Sequence, residues 1–259
     1  MIERWLALPL PALWLCLAGF YGATGIILIY LSFGRFTGKW VQSFRGVVPP
    51  YFAGIVAVFG MLVGFLANDV WDRSQRAAAS VRGEAASLMS LYDLMAASHL
   101  PARLVDQAIH TYVSAVVEKE WQTMAHGEAA PEAERAQDQL IEAVADLEAE
   151  PASSPAITRV MLDAALKIRN ARYERLLLSA DYAEGFKWMC VLVFALVGQI
   201  SVAVVHLENA RPNIAAMVIF TTGVVIVLGL IASHEFPFAS PFSISPAPLA
   251  ELLKSIPKG

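Results

Sequence analysis

The chain has 259 residues, of which 57% are hydrophobic and only 16% charged, and its formal net charge is −4. That is too apolar for an ordinary soluble domain, and so mild an acidic balance gives no electrostatic basis for holding nucleic acid. Cys16 and Cys190 both fall in apolar runs, where a thiol is a small core residue. They say nothing about redox compartment and supply no zinc spacing.

Four charge-free apolar runs organise everything else: Leu10–Phe33, Tyr51–Ala67, Trp188–Val205 and Ile214–Ser233. Each is about 17 to 24 residues long, enough for a helix to cross a hydrocarbon core of roughly 30 Å. The expected domains are a transmembrane hairpin over 1–67, a polar helical domain over 68–187, a second hairpin over 188–234 and an extended proline-rich segment over 235–259. The fold class is therefore an all-α polytopic membrane protein with its helical domain inserted between the second and third spans. The first run reads as a retained span. Glu3 sits beside Arg4 ahead of it, and its apolar stretch outruns the 7–15 residues typical of a secretory h-region.

Lysine and arginine near the span ends set orientation. One side carries Arg35, Lys39, Arg45 and Arg211. The other carries Arg4, Arg73, Arg76, Arg82, Arg169, Arg172, Arg175 and Lys187, with Lys254 and Lys258 further out. This balance places the termini and the helical domain in the cytoplasm.

Past the second run, Trp71, Ser74, Ala78, Val81, Ala85, Leu88, Tyr92 and Met95 recur at steps of three and four. The spacing predicts that the second transmembrane helix continues into the polar domain as one rod to about Leu94, with Gly83 its weak point and Pro101 its stop. A second helix carries Ala102, Val105, Ile109, Val113, Val116 and Met124 on one side, with Gly127 as its cap. A third, about Glu132–Glu148, opens at Pro131 and is acidic outside; the 150–155 stretch (EPASSP) is a turn. A fourth turns Ile157, Val160, Met161, Ala164, Ile168 and Ala171 inward. Phe236–Pro248 is too proline-rich for helix and its aromatics suit an ordered strap packed on the domain. A short helix near Pro248–Ser255 closes the chain.

Enzyme signatures are absent, and no enzyme activity, cofactor or metal site is expected. His234-Glu235 lacks a second histidine at helical spacing, so the metalloprotease pattern fails. No nucleophile elbow or phosphate loop is present. His99, His110, His126, His206 and His234 are scattered. The spans hold no ionisable residue centrally, which argues against a coupled transporter and leaves open a pore with an apolar constriction.

In the second run, Ala53, Ala57, Gly60, Gly64 and Ala67 form a small-residue stripe, the pattern of close helix packing in membranes. A neighbouring row, Ala57, Met61 and Phe65, rises at steps of four. The stretch Val63–Arg73 (VGFLANDVWDR), with Ala77, Val81, Glu84 and Ala85 beyond it, resembles the second-helix segment of bestrophins. Phe65 and Arg73 reproduce that family's Phe-to-Arg spacing. More closely, the chain is similar to bacterial bestrophin-like membrane proteins. The shared elements are EA-x-x-L-x-x-LY (Glu84, Ala85, Leu88, Leu91, Tyr92), Tyr-x(7)-Glu-Trp (Tyr112, Glu120, Trp121) and a late IsP-x-P (Ile244–Pro248).

This resemblance implies a pentameric channel for small inorganic anions. Ala57, Met61 and Phe65 would form a pore neck, Asn68, Asp69 and Arg73 its mouth, and Ala53, Gly60, Gly64 and Ala67 the helix-packing surface. Membrane lipids and further copies of the chain are the expected partners. The chain departs from the bestrophin pattern at Ala57, Leu66, Asn68 and Ser74, and its tail shows no acidic calcium clasp. The alternative reading is a non-conducting membrane interaction or sensor protein that binds partners through its helical domain.

Overall fold

The computed structural model describes residues 5–6, 8–35, 37–44, 46, 49–98, 100, 103–150, 154–180, 185–239 and 242–256. The sequence positions Glu3, Arg4, Arg45, His99, Pro101, Ala102 and Lys258, and the middle of the 150–155 turn, lie outside these residues. Among the described residues every regular element is helical. They are α1 (Leu10–Phe33), α2 (Gly38–Val41), α3 (Pro49–Ser98), α4 (Arg103–Ala115), α5 (Trp121–Met124), α6 (Pro131–Asp146), α7 (Pro155–Ala180), α8 (Gly185–Val205), α9 (Ala210–Ala232) and α10 (Ala247–Ser255). Four helices are long and apolar enough to cross a membrane, and the chain is an integral membrane protein. It divides into a membrane unit, Met1–Trp71 with Ala183–Glu235, and a polar unit, Asp72–Tyr182 with Phe236–Gly259.

In the membrane unit α1, α8 and α9 pack on one another. Glycine governs the closest approaches. A Cβ on Gly229 would stand 2.8 Å from the Trp14 ring, and one on Gly198 would collide with Phe220. The buried polar centre is Gln199, whose amide nitrogen donates to the Tyr21 carbonyl and to Thr221 Oγ1, each at 2.8 Å. Its oxygen accepts from Thr24 Oγ1 at 2.7 Å. With no water in the bilayer core, such an amide persists only when its bonds are met inside the protein. Asn213, at the start of α9, donates to the Ala203 and His206 carbonyls at the end of α8, while its Oδ1 is buried without a hydrogen-bond partner among the described residues.

In the polar unit α4 packs on α6 and α10, and α6 on α7. Its second helix is not uniform: α4 runs into a π-helical turn at Val116–Glu120 before α5. Val105, Ile109, Val113, Val116 and Met124 are buried as the spacing requires. Gly127 closes this run with φ of 77°, its N–H reaching the Met124 carbonyl while Glu128 N–H reaches Thr123. That is a left-handed cap, open to glycine at no steric cost. Trp121 and Phe238 meet edge to face at 5.7 Å, so the proline-rich strap does pack on this unit.

Two sequence expectations are corrected. On α7, Met161, Ala164 and Ile168 are buried, but Ile157 and Val160 are exposed, because the buried stripe runs through Thr158, Met161, Ala165, Ile168 and Arg172 and leaves 157 and 160 to one side. The buried seam of α3 beyond the membrane is Arg73, Ala77, Ser80, Val81, Glu84, Leu88, Leu91 and Met95. Trp71 is exposed, and Ser74, Ala78, Ala85 and Tyr92 are only half-buried. A seam chosen by hydrophobicity steps around charged residues that are in fact inside.

Candidate functional site

Two sites are built from the motif residues, one in each unit. The first is a face of α3 within the membrane unit. Phe59, Val63, Leu66 and Val70 turn inward and are buried, with Phe59 against Phe220. The opposite face carries Ala57, Met61 and Phe65, all exposed; Met61 and Phe65 keep 63% and 68% of their surface. Ala53, Gly60 and Gly64 share that exposure, and no described atom lies within 4 Å of where a Cβ on Gly60 or Gly64 would stand. Ala67 is half-buried. Within one chain, then, the small-residue stripe is not a packing surface between its own helices.

The three mouth residues separate. Asn68 is exposed beside Phe65. Asp69 receives Lys187 Nζ at 3.1 Å. Arg73 is buried, with only 5% of its surface exposed.

The second site is a buried cluster of charge in the polar unit. Arg175 on α7 donates from Nε to Glu84 Oε2 at 2.8 Å and from Nη2 to Glu120 Oε1 at 2.9 Å. Its Nη1 reaches Met124 Sδ at 3.1 Å, and its guanidinium lies 5.3 Å from the centre of the Trp121 ring. Arg172, one turn earlier, grips Glu120 through Nε and Nη2 and donates from Nη1 to Gln137 Oε1 at 2.6 Å. Tyr112 Oη donates to Glu84 Oε1 at 2.6 Å. Glu84, Glu120, Tyr112 and Arg175 are wholly buried. Burial alone would lower both arginine pKa values. The paired carboxylates outweigh it, Glu84 for Arg175 and Glu120 for Arg172, and hold both above the usual range. Tyr112 is pushed up, first by burial and then by the charge of Glu84.

The π turn explains how Glu120 enters this cluster. A π-helical turn adds a residue to the helical circuit and so re-aims the side chains beyond it. It ends on Glu120, which is buried, and hands on to Trp121, which covers Arg175. Glu84, Tyr112, Glu120 and Trp121 are all motif positions in the sequence; their partners Arg172 and Arg175 were counted there only as charges near a span. They are neutralised inside the unit and do not act as free surface charges. The arrangement holds no nucleophile beside a base, and among the described residues no group of His, Cys, Asp or Glu is placed to hold a metal.

The model of the Bestrophin-like domain matches residues 19–249. The chain belongs to the Bestrophin-like family. Its fold is shared with the crystal structure of a bacterial bestrophin homolog from Klebsiella pneumoniae, with a TM-score of 0.70 at 11% identity over 93% of this chain and 95% of that one. A variant of the same homolog gives 0.70 at 10% identity over 91% and 96%. No curated protein matches the chain. This bestrophin-like chain therefore has a channel-like fold, and both motif-bearing sites lie inside the matched region.

Proposed function

We propose that this bestrophin-like protein is an oligomeric channel for small inorganic anions, with Ala57, Met61 and Phe65 of each copy forming an apolar neck. One observation carries the reading: in a membrane span whose other face is packed, this row is left uncovered by its own chain. Small residues on such a face let neighbouring copies approach closely, and Gly60 and Gly64 lie beside the row. Large apolar side chains at a constriction resist ions by excluding water. Asn68, exposed one turn past Phe65, fits the mouth, and Asp69 borders it through Lys187.

A pentamer, termini and polar domain in the cytoplasm, and an inner-membrane address complete the reading, on the family pattern and the Lys/Arg distribution. An impermeant thiol reagent added to intact cells should leave a cysteine at Ser114 unlabelled in a cysteine-free background.

Planar-bilayer recording tests conduction. Phe65→Ala and Met61→Ser should raise anion current, whereas Phe59→Ala should act through stability alone, by roughly 3–5 kcal/mol. Silence from wild type and both neck variants, with the oligomer intact, would leave the non-conducting interaction protein as the answer.

A further inference from the structure

Within the membrane unit, α3 and the first turns of α8 enclose a cavity of about 450 Å³, inside the range of roughly 300–1,000 Å³ typical of small-molecule sites. Its wall is apolar, with Leu62, Phe65, Phe186 and Cys190. Its rim is the Asp69–Lys187 ion pair, 3.1 Å long, with side chains 34% and 42% exposed. Leu62 and Asp69 lie seven residues apart on one helix, about 10 Å along the axis. The cavity thus descends from a charged rim into a greasy slot.

Its depth can be read from its own residues. Asp69 and Lys187 stand just outside charge-free spans, where the bilayer gives way to headgroups. Trp188 follows Lys187 and meets Trp5 at 5.5 Å, and its indole N–H donates to Glu235. Amphipathic tryptophans concentrate at that same level. A charged rim at headgroup depth above an apolar slot matches a phospholipid, and the rim also specifies which one. A lysine alone would favour any anionic headgroup. The adjacent carboxylate repels a second negative charge and offers a seat for a cation, and an arrangement that penalises the competitor is how selectivity arises. A partly exposed ion pair gains little from being closed, so a ligand can part it.

We propose that this cavity seats one phospholipid with a zwitterionic amine headgroup. Its phosphate bonds to Lys187 Nζ, its ammonium to the Asp69 carboxylate, and an acyl chain lies along Leu62, Phe186 and Cys190. The site does not require that the protein conduct.

Cys190 is a partly exposed thiol in the slot, and so a native reporter. Purified full-length protein carrying Cys16→Ser would be delipidated in detergent and labelled with a maleimide, with phosphatidylethanolamine or phosphatidylglycerol added back. Phosphatidylethanolamine should slow labelling, and native mass spectrometry should show it bound in preference to phosphatidylglycerol. Lys187→Gln and Asp69→Asn should each weaken that binding about tenfold, the scale of one lost charge-assisted contact. Cys190→Trp, which fills the slot, should abolish it while the oligomer elutes unchanged. Equal or better protection by phosphatidylglycerol, or tighter lipid binding in Asp69→Asn, would overturn the assignment. So would a short bismaleimide joining Cys190 residues of two copies, because the slot would then be covered by protein.

Discussion

In the membrane unit the buried polar centre is an uncharged amide, Gln199, held by Tyr21, Thr24 and Thr221. In the polar unit it is two glutamates and two arginines that sum to no net charge. Both centres are closed by hydrogen bonds, so the difference lies in what each side chain leaves behind on folding. A helix already in lipid has no water from which to take a charge, and an unmatched ion there costs several kcal/mol. The polar unit folds from water, where each ion is well solvated first. Desolvating four ions must then be offset by near-complete pairing, and such clusters are often neutral for stability while sharply dependent on every member.

The largest effect expected from this comparison is at Arg175. Arg175→Leu leaves Glu84 and part of Glu120 charged and unmatched, and should destabilise the polar unit by about 3–5 kcal/mol. Replacing Glu84, Glu120, Arg172 and Arg175 together with Leu and Met, in a Tyr112→Phe, Gln137→Leu background that leaves no buried hydroxyl or amide orphaned, should be nearly neutral or stabilising. Thermal unfolding of both proteins checks this. If the fourfold replacement unfolds as badly as Arg175→Leu, desolvation is not the governing cost.

Gln199 offers the converse experiment. Gln199→Glu places an ionisable group in a span and should cost about 2.5–3.5 kcal/mol. Gln199→Leu removes three hydrogen bonds between membrane helices, each on the scale of about 0.6 kcal/mol, and should cost about 2 kcal/mol. Unfolding in a mixed detergent gives both values, and the reverse order would break the contrast between the two units.

A third effect is one of pH. Tyr112 is raised well above its ordinary value of 10.0 by burial and by Glu84. Because the folded form holds its proton while the unfolded chain releases it, the native state binds more protons above pH 10, and stability falls as pH rises there. The contribution is fully present below pH 10 and lost through the alkaline range. Tyr112→Phe should lower stability at pH 8 by about 1.5–3 kcal/mol, the scale of a hydrogen bond to a charged group. It should also flatten the decline that wild type shows above pH 10.

Much of the helical framework was legible. The first run coincides with α1, and the unbroken three-four repeat across Asn68 to Ser80 is a single helix, α3, with Gly83 inside it. Regular periodicity survives wherever the inward face is apolar. It misled where that face is charged: Ser80 and Glu84 look like surface residues, so the expected seam of α3 was rotated away from them. A signal for the arginines was present. Met161, Ala165, Ile168, Arg172, Arg175 and Leu178 fall at steps of three and four, and an arginine pair continuing an apolar stripe marks buried charge. The motif residues Glu84, Tyr112, Glu120 and Trp121 were found by resemblance, but nothing in their spacing shows that one guanidinium joins them. The π turn has no compositional mark at all. The exposure of Ala57, Met61 and Phe65 was likewise invisible, since apolar residues on a membrane helix look alike on every side.

The buried charge cluster also has a history on the ribosome. Arg175 lies 91 residues after Glu84 and 55 after Glu120. At about 5–20 residues per second, both glutamates emerge roughly 3 to 18 seconds before the cations they need. Until α7 has left the exit tunnel, the earlier helices can collapse only with two acidic side chains facing their own core. They are better kept apart than packed. Folding of the polar unit should therefore wait for these cations, and its closure should come late. The event that releases it, the emergence of Arg172 and Arg175, comes while α8, the third apolar span, follows directly behind inside the tunnel.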